Sequence, residues 1–192
     1  MSGLPARARV LVDGVGGDGV ADALVDGLAA AGRVPLRVRG ADYLRPAGER
    51  YEHGREDPDA FRESWLDRAA LRREVLEADG TWLPALWDAG RDRSARATRQ
   101  PVPAQAVLLV DGLFLLGDPT GERLPAELVV HVALSPGALA RRGVPAWQLP
   151  AFAAYDEQVR PGQVCDVLVR AENPRRPAVL HRAGPAGAGR SG

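Results

Sequence analysis

The sequence contains no lysine, so all 25 of its basic side chains are arginines. Its single cysteine, Cys165, excludes an internal disulfide and is typical of a reducing compartment. The formal net charge is +0, so no excess of basic charge argues for nucleic acid or an anionic membrane as a partner. No apolar run is long enough to span a bilayer, and the segment MSGLPARARV lacks the apolar core of a signal peptide. These absences predict a soluble, cytoplasmic protein; they say nothing about its oligomeric state.

The sequence also lacks the residue patterns of a metal site and of a Ser-His-Asp catalytic site. The three histidines and one cysteine show no metal-ligand spacing, and no Ser-His-Asp arrangement can be argued. His131 lies in an apolar run and is predicted to pack in the core or at a sheet edge. His181 lies in the carboxyl-terminal tail.

The feature that is present, and around which the chain is organised, is a glycine-rich segment near the amino terminus. The short aliphatic run Val10–Val12 is followed by glycines and then by a helical pattern of apolar residues. Strand, glycine loop and helix in this order are the context in which a phosphate-binding loop must sit, because such a loop aims backbone N–H groups and a helix N-terminus at an anion. Four residues separate the outer glycines, the interval of a Walker A loop. The candidate phosphate loop contains Gly14, Gly16, Gly17 and Gly19.

The two positions after this loop break the Walker A pattern. A working loop continues with Lys, which reaches the terminal phosphates, and with Ser or Thr, whose hydroxyl holds Mg²⁺. Here these positions are Val20 and Ala21. No lysine elsewhere can replace the missing one, so only an arginine could supply its charge. The sequence therefore predicts a nucleotide-site scaffold without two of its usual side chains.

Strand and helix patterns alternate along the rest of the chain. Apolar runs predict five strands: at Val10–Val12 and at 34–38, 106–110, 128–134 and 164–169. Helical patterns follow at 57–76, 136–142 and 147–159, and residues 81–103 are predicted to form a surface loop or a short hairpin. Together they predict a single α/β domain with an open, mostly parallel sheet flanked by helices. Its predicted bounds are 9–180, between a flexible lead-in, 1–8, and a disordered tail, 181–192.

The chain resembles the P-loop uridine kinase-like proteins, a family among the nucleoside and nucleotide kinases, from about residue 10 to 179. Seven segments in a fixed order carry the resemblance: DGVGGDG at 13–19, GADYLRP at 40–46, RYEHG at 50–54, DPDAFRESWLDRAALRREVL at 57–76, LPALWD at 83–88, VLLVDGLFLL at 107–116 and VCDVLVRAENP at 164–174. The resemblance implies a P-loop NTPase-type fold. It also implies ATP-dependent transfer of a phosphoryl group to a nucleoside 5′-hydroxyl, or to a similar small alcohol, with Mg²⁺.

The resemblance also implies roles for individual residues. Asp42 falls where the family has the carboxylate that accepts the hydroxyl proton, and Asp111 falls where a second acid supports Mg²⁺. Each could instead be an ordinary acid at the end of a strand. The acceptor pocket is expected to be lined by Tyr43, Tyr51, His53 and Asp88, and a lid to begin at Arg141 and Arg142. The alternatives are solvated loop residues for the former set, and arginines attracted to a helix C-terminus for the latter.

Three functions remain open from the sequence. The chain is a kinase that uses ATP and Mg²⁺ with an unusual donor site, or a binding module for a nucleoside-like small molecule or a protein partner, or a structural remnant without a ligand or cofactor. Whether a basic side chain reaches the loop at 14–19 distinguishes the first from the second. Whether Asp42, Tyr51 and Asp88 converge on one cavity distinguishes the second from the third.

Overall fold

The structure is a computed structural model that describes residues 4–118, 120–173 and 176–181. Most of the predicted tail, 182–192, and the first three residues of the predicted lead-in lie outside the described residues. The first strand begins at Ala8, a buried residue that the sequence analysis assigned to the lead-in.

A six-stranded sheet forms the centre of the molecule. In chain order the strands are β1 (Ala8–Asp13), β2 (Val34–Arg39), β3 (Thr81–Trp82), β4 (Trp87–Asp88), β5 (Arg93–Ser94), β6 (Gln100–Pro101), β7 (Ala106–Gly112), β8 (Leu128–Ala133), β9 (Val167–Arg170) and β10 (Ala178–His181). The order in the large sheet is β10-β9-β8-β1-β7-β2, in which β10 alone runs antiparallel to its neighbour. β10 was not predicted, and it places His181 in the sheet rather than in the tail.

The parallel strands bring their carboxyl ends to one edge of the sheet. β1 lies between β7 and β8, with Val12 beside Asp111 and Asp13 beside His131. Arg39, the last residue of β2, also lies beside Asp111. β7 is buried along almost its whole length, because helices cover both of its faces, and this explains its continuous apolar sequence.

Helices pack on both faces of the sheet. They are α1 (Gly17–Ala30), α2 (Ala47–Arg50), α3 (Pro58–Glu63), α4 (Arg68–Leu71), α5 (Pro136–Arg141), α6 (Leu149–Gln158) and α7 (Pro161–Val164), with 3₁₀ turns at Gly40–Tyr43 and Ala146–Gln148. On one face α1 buries Ala21 and Leu28 against β1 and β7. On the other face α3, α4 and α6 pack against residues such as Leu11 and Leu108. The predicted α/β fold is confirmed.

The predicted helix over 57–76 is wrong as a continuous element. It begins as expected, because the Asp57 side chain accepts a hydrogen bond from the Ala60 N–H at 2.6 Å. The helix ends at Glu63, and the next residues pair with the chain after β2 through an isolated bridge between Leu44 and Leu66. A second helix then starts at Asp67, whose side chain accepts from the Ala70 N–H at 2.9 Å, and passes into a π-helical turn, Arg72–Leu76. Tertiary pairing has overridden the local helical pattern.

Smaller differences have local causes. Residues 81–103, predicted as a loop or hairpin, form a hairpin of β4 and β5 that is enclosed by a second antiparallel pair, β3 with β6. β9 begins at Val167 rather than at residue 164, because α7 occupies the preceding residues.

Candidate functional site

The candidate site lies at the carboxyl edge of the sheet, where open α/β sheets bind their ligands. The glycine turn after β1 is packed closely against this edge. Gly14 has φ 109°, and its N–H donates to the carbonyl of Gly112 at 2.9 Å. A Cβ at Gly14 would overlap the carbonyl oxygen of Val132. Both the backbone conformation and the available space therefore require glycine at this position.

The turn is shorter than the predicted phosphate loop. The Gly17 N–H donates to the carbonyl of Gly14 at 3.0 Å, and α1 begins at Gly17. Of the predicted loop glycines, only Gly14 and Gly16 lie in the turn, whereas Gly17 and Gly19 lie in the first turn of α1. A Cβ at Gly19 would meet no atom within 4 Å, so this glycine is not required by its surroundings. The N–H groups of Gly14 and Gly17 are engaged inside the protein, which leaves fewer backbone donors for an anion.

An arginine after α5 reaches this turn. Gly16 has φ 84°, and a Cβ at this position would overlap Nη1 of Arg142. The same guanidinium donates through Nη2 to the carbonyl of Ala171 at 2.9 Å, which holds it above the turn. Arg141, the other predicted lid residue, is 68% exposed and lies 3.9 Å from the Glu172 carboxylate. The structure therefore brings Arg142, but not Arg141, to the glycine turn.

A second arginine, which belongs to none of the sequence motifs, approaches the start of α1 from β2. Arg37 donates through Nη2 to the carbonyl of Asp18 at 3.2 Å and forms an ion pair with Asp22. Its main partner is Asp111, with Nε 2.7 Å from one carboxylate oxygen and Nη2 3.2 Å from the other. The hydrogen bond to Asp111 raises the pKa of Arg37. Side chains alternate between the two faces of a sheet along a strand, so residues 37 and 39 of β2 share one face. This alternation is the sequence signal that could have identified Arg37.

The residues around Asp111 do not fit Mg²⁺. Both carboxylate oxygens of Asp111 are taken by Arg37. The position that carries the metal-binding hydroxyl in a Walker A loop is Ala21, which is fully buried. Among the described residues no group of three or more His, Cys, Asp and Glu side chains could hold a metal ion. The metal-associated role expected for Asp111 has no support in this geometry.

Asp42, the expected catalytic acid, lies in the 3₁₀ turn that follows β2. Burial raises the pKa of its carboxyl group, Arg39 opposes the rise, and the negative charges of Asp111 and Asp88 add to it. Its backbone carbonyl accepts from the Leu86 N–H at 2.9 Å, which ties the turn to the segment before β4. A half-buried carboxyl group with a raised pKa at this edge has the chemistry of a general base. The catalytic role itself stays a prediction.

A cavity of about 270 Å³ opens beside this edge, between the ends of β2 and β7 and helix α3. Its lining combines charged and apolar side chains, among them Arg39, Leu44, Arg62, Trp65, Asp111 and Phe114. The residues expected to form the acceptor pocket, Tyr43, Tyr51, His53 and Asp88, are all described by the structure and are not part of this lining.

The expected pocket residues occupy four different surroundings. Tyr43 is fully buried in the core and donates to the Leu83 carbonyl at 2.6 Å, so it lines no pocket, and burial raises its pKa. Tyr51 packs edge-on against Trp65, with 5.5 Å between the ring centroids, and His53 is exposed.

Asp88 faces its own hairpin instead of a shared cavity. Its carboxylate accepts from the backbone and the guanidinium of Arg91, both at 3.1 Å, and these hydrogen bonds lower its pKa. The neighbouring Trp87 donates to the Asp92 carboxylate at 3.1 Å. Asp42, Tyr51 and Asp88 therefore do not converge on one cavity.

A buried polar network below the glycine turn was also missed from the sequence. Asp13 is fully buried, and its Oδ1 accepts from the Leu115 N–H at 2.9 Å. Its Oδ2 accepts from the Tyr155 hydroxyl at 3.2 Å and lies 2.8 Å from Nδ1 of His131. The prediction that His131 packs in the core is confirmed, but the partner was not foreseen. The network joins the ends of β1, β7 and β8 to α6 beside a cavity of about 50 Å³.

Phe114, just beyond β7, has an unusual backbone conformation. Its φ is 59°, a region that bulky residues rarely adopt. Its ring packs against Phe61 and Phe152 with centroid distances of 5.3 and 5.0 Å, and its carbonyl accepts from Arg68 at 2.7 Å. Surrounding contacts hold this strained residue in the wall of the 270 Å³ cavity.

No helix in the described part of the chain has the length and apolar composition needed to cross a membrane. No protein-family model matches the chain, and no curated protein matches it.

Solved structures do resemble it. A protein named a possible uridine kinase from Bacillus stearothermophilus superposes with a TM-score of 0.67 and 19% identity, over 84% of this chain and 88% of that one. A protein provisionally named a fructose transport system kinase from Silicibacter sp. TM1040 gives a TM-score of 0.57 and 16% identity, over 86% and 88%. The YGR205w protein gives a TM-score of 0.55 and 11% identity, over 95% of this chain and 92% of that one. The resemblance stated from the sequence is thus confirmed at the level of the fold, and this chain has the fold of uridine kinase-like P-loop kinases.

Proposed function

We propose that this protein binds a phosphate-bearing small molecule of the nucleotide class at its glycine turn, and that it is not an efficient Mg²⁺-dependent kinase. The observation that carries the proposal is the position of Arg142, whose guanidinium lies against Gly16. A planar guanidinium recognises phosphate oxygens with paired hydrogen bonds, so it can supply the charge that lysine supplies in a Walker A loop. The chain has no lysine with which to do so.

The start of α1 adds to the attraction for an anion. A helix N-terminus presents backbone N–H groups and a partial positive charge, and α1 begins directly after the glycine turn. Arg37 also lies beside the start of α1, but its charge is paired with Asp111 and Asp22, so Arg142 and the helix N-terminus carry the attraction. Against these act the carboxylates of Asp18 and Asp22, so binding is expected to be weaker than in a lysine-containing loop.

Efficient phosphoryl transfer has less support than binding. Transfer from ATP relies on Mg²⁺ to neutralise developing charge, and Asp111 is engaged by Arg37 instead. The acid expected to accept the hydroxyl proton, Asp42, is nonetheless present at the same edge with a raised pKa. This observation favours a second candidate: an ATP-dependent phosphotransferase acting on a nucleoside or similar small alcohol, in which arginine charge replaces part of the usual donor site.

The same proposal includes the location and the partners of the protein. It is a cytoplasmic protein that binds a small nucleoside-like molecule and has neither nucleic acid nor a membrane as a partner. ATP is its candidate cofactor if it transfers phosphate, and otherwise it needs none.

Calorimetric titration of the purified chain with ATP tests binding. Arg142→Gln should weaken ATP binding roughly tenfold, or about 1.4 kcal/mol, because it removes a charge-assisted hydrogen bond to phosphate. The matched control is Arg141→Gln, which removes the same charge from the adjacent, exposed position and should change the affinity less than about twofold. No saturable ATP binding by the wild-type chain, or equal losses in the two variants, would contradict the proposal.

Turnover decides between the two candidates. ATP consumption is measured with a panel of nucleosides and small alcohols, for the wild type and for Asp42→Asn. Catalysis that falls by roughly 10²–10⁴-fold in Asp42→Asn, with ATP affinity unchanged, supports the phosphotransferase. ATP binding without acceptor-dependent turnover supports the binding protein.

A further inference from the structure

We infer that Arg37 is a built-in cation that takes the place of a divalent metal at Asp111, so that the cleft of this protein needs no Mg²⁺. The role of Arg37 is independent of the ligand proposed above, because its contacts are with the protein itself. It concerns a residue that neither the motif nor the resemblance had identified.

The first support is the geometry of the pair. Two nitrogens of Arg37 face the two carboxylate oxygens of Asp111, at 2.7 and 3.2 Å. This two-point arrangement is the strongest and most directional form of an ion pair. The side chains of Arg37 and Asp111 are only 17% and 8% exposed, so water screens the pair less than it screens a surface ion pair. A metal could bind Asp111 only after displacing this arginine.

The second support is the set of oxygens gathered around the guanidinium. Besides the Asp111 carboxylate, Arg37 contacts the carboxylate of Asp22 and the backbone carbonyl of Asp18. Carboxylate and carbonyl oxygens are the ligands that hard divalent cations prefer. One guanidinium therefore already contacts all of these oxygens.

The third support is the residue at position 21. A metal bridged to a phosphate in a Walker A loop is held by a hydroxyl there, whereas Ala21 offers a buried methyl group. An arginine needs no such ligand, because its side chain is tethered covalently to β2. Relative to the Walker A pattern, the missing hydroxyl at position 21 and the arginine at Asp111 together amount to the exchange of a metal ion for an arginine.

Manganese binding tests this exchange, with Mn²⁺ as a spectroscopic stand-in for Mg²⁺ and the unbound ion followed by electron paramagnetic resonance. The wild type should show no saturable binding up to about 1 mM Mn²⁺. Arg37→Gln frees the oxygens of Asp111, Asp22 and Asp18 and should create a site with a Kd of about 0.1–1 mM, the weak end of the range for oxygen-ligated ions.

Two controls locate the new site. Arg39→Gln removes the same charge two residues along the same strand, without a hydrogen bond to Asp111 in the described contacts, and should leave Mn²⁺ binding at the wild-type level. Adding Asp111→Asn to Arg37→Gln should abolish the gain. A folded Arg37→Gln protein that gains no Mn²⁺ binding, or gains no more than Arg39→Gln, overturns the inference.

A further comparison uses no Arg37 variant and so remains decisive if that variant does not fold. The wild type and Asp111→Asn are titrated with Mn²⁺ side by side. Saturable binding by the wild type that Asp111→Asn removes would overturn the inference, whereas equal absence of binding supports it. Neither result depends on ATP, so a failure of nucleotide binding is distinguishable from a failure of the metal-replacement role.

Discussion

Asp13 and Asp111 end neighbouring strands at the same edge of the sheet, yet their surroundings differ completely. Asp13 points to the α6 face, is fully buried and is bound by a backbone N–H, a tyrosine hydroxyl and a histidine ring. Asp111 points to the α1 face and is buried as well, at 7% exposure, but it is bound by Arg37, whose guanidinium also contacts the exposed Asp22. Their register differs by one residue, which is enough to send the two carboxylates to opposite faces.

The comparison shows that two acidic residues at one edge of the sheet can have different roles. On the α6 face, the Asp13 carboxylate joins three strands and a helix, so its function is to hold the glycine turn in place. On the α1 face, the Asp111 carboxylate is held in an ion pair with Arg37, which also contacts the exposed Asp22. Four predictions, in descending order of expected effect, sharpen or break this division.

The largest effect is expected from Asp13→Ala. The substitution leaves the Leu115 N–H, the Tyr155 hydroxyl and the His131 ring without their acceptor in a buried region. It should lower the free energy of unfolding by about 3–5 kcal/mol. Urea unfolding followed by circular dichroism measures the loss. Asp26→Ala, the same change at an exposed position of α1, should stay within about 0.5 kcal/mol of wild type. A comparable loss in both variants would contradict an anchoring role for Asp13.

The two outer glycines of the predicted loop should respond with opposite signs. Gly14→Ala places a Cβ against the Val132 carbonyl at a positive φ and should destabilise the protein by roughly 2–3 kcal/mol. Gly19→Ala lies in the first turn of α1 with open space around it and should stabilise by up to about 1 kcal/mol. Thermal and urea unfolding of both variants measure the two signs. Destabilisation by Gly19→Ala would mean that this glycine belongs to the turn after all.

Asp111→Asn should cost less than Asp13→Ala. It leaves Arg37 with a neutral partner, but the arginine keeps Asp22 and a path to water, so the expected loss is about 1–2 kcal/mol. Asp22→Asn is the control; Asp22 is 70% exposed, and its replacement should cost less than about 0.5 kcal/mol. If Asp111→Asn destabilised the protein as much as Asp13→Ala, the cleft acid would be as structural as the buried one.

The smallest expected effects are changes in the free energy of unfolding with pH. They have opposite signs for the carboxyl groups of Asp42 and Asp88. The folded-state pKa of Asp42 is raised above its ordinary 3.8, so the folded state holds this proton more tightly than the unfolded state. Its ionisation therefore lowers stability as pH rises from 3.8 through the raised pKa. The pKa of Asp88 is lowered, so its contribution is present above its ordinary pKa and is lost as pH falls through the folded-state value.

Urea unfolding from about pH 3 to about pH 7 measures these two contributions. Relative to wild type, Asp42→Asn should gain stability as pH rises, because it removes the ionisation. Asp88→Asn should lose stability relative to wild type over the same rise. A difference between wild type and Asp42→Asn that did not change with pH would show that this carboxyl group has the same pKa in the folded and unfolded states.

The sheet was predictable because its signal is local. Apolar runs such as those of β1 and β7 indicate buried strands, and their alternation with helical patterns indicates a parallel sheet. β10 was missed because its four residues follow a Pro- and Arg-rich segment and are exposed, so they carry no core pattern. The break between α3 and α4 was missed because the apolar spacing continues through it. The helix is interrupted where residues 65–67 pair with residues 43–45, a pairing that includes the bridge between Leu66 and Leu44.

The sequence by itself determined the order of the elements, the place of the glycine turn and the absence of lysine and hydroxyl after it. The tertiary structure decided which charges meet. Arg37 is 74 residues from Asp111 in the chain, and Asp13 is 118 residues from His131. Such pairs are set by strand order and register, which bring distant strand ends to one edge, whereas periodicity and spacing report only on neighbours along the chain. For this reason the glycine turn was visible in the sequence and Arg142 was named through the resemblance, whereas the contact of Arg142 with Gly16 and the pairing of Arg37 with Asp111 were not predictable.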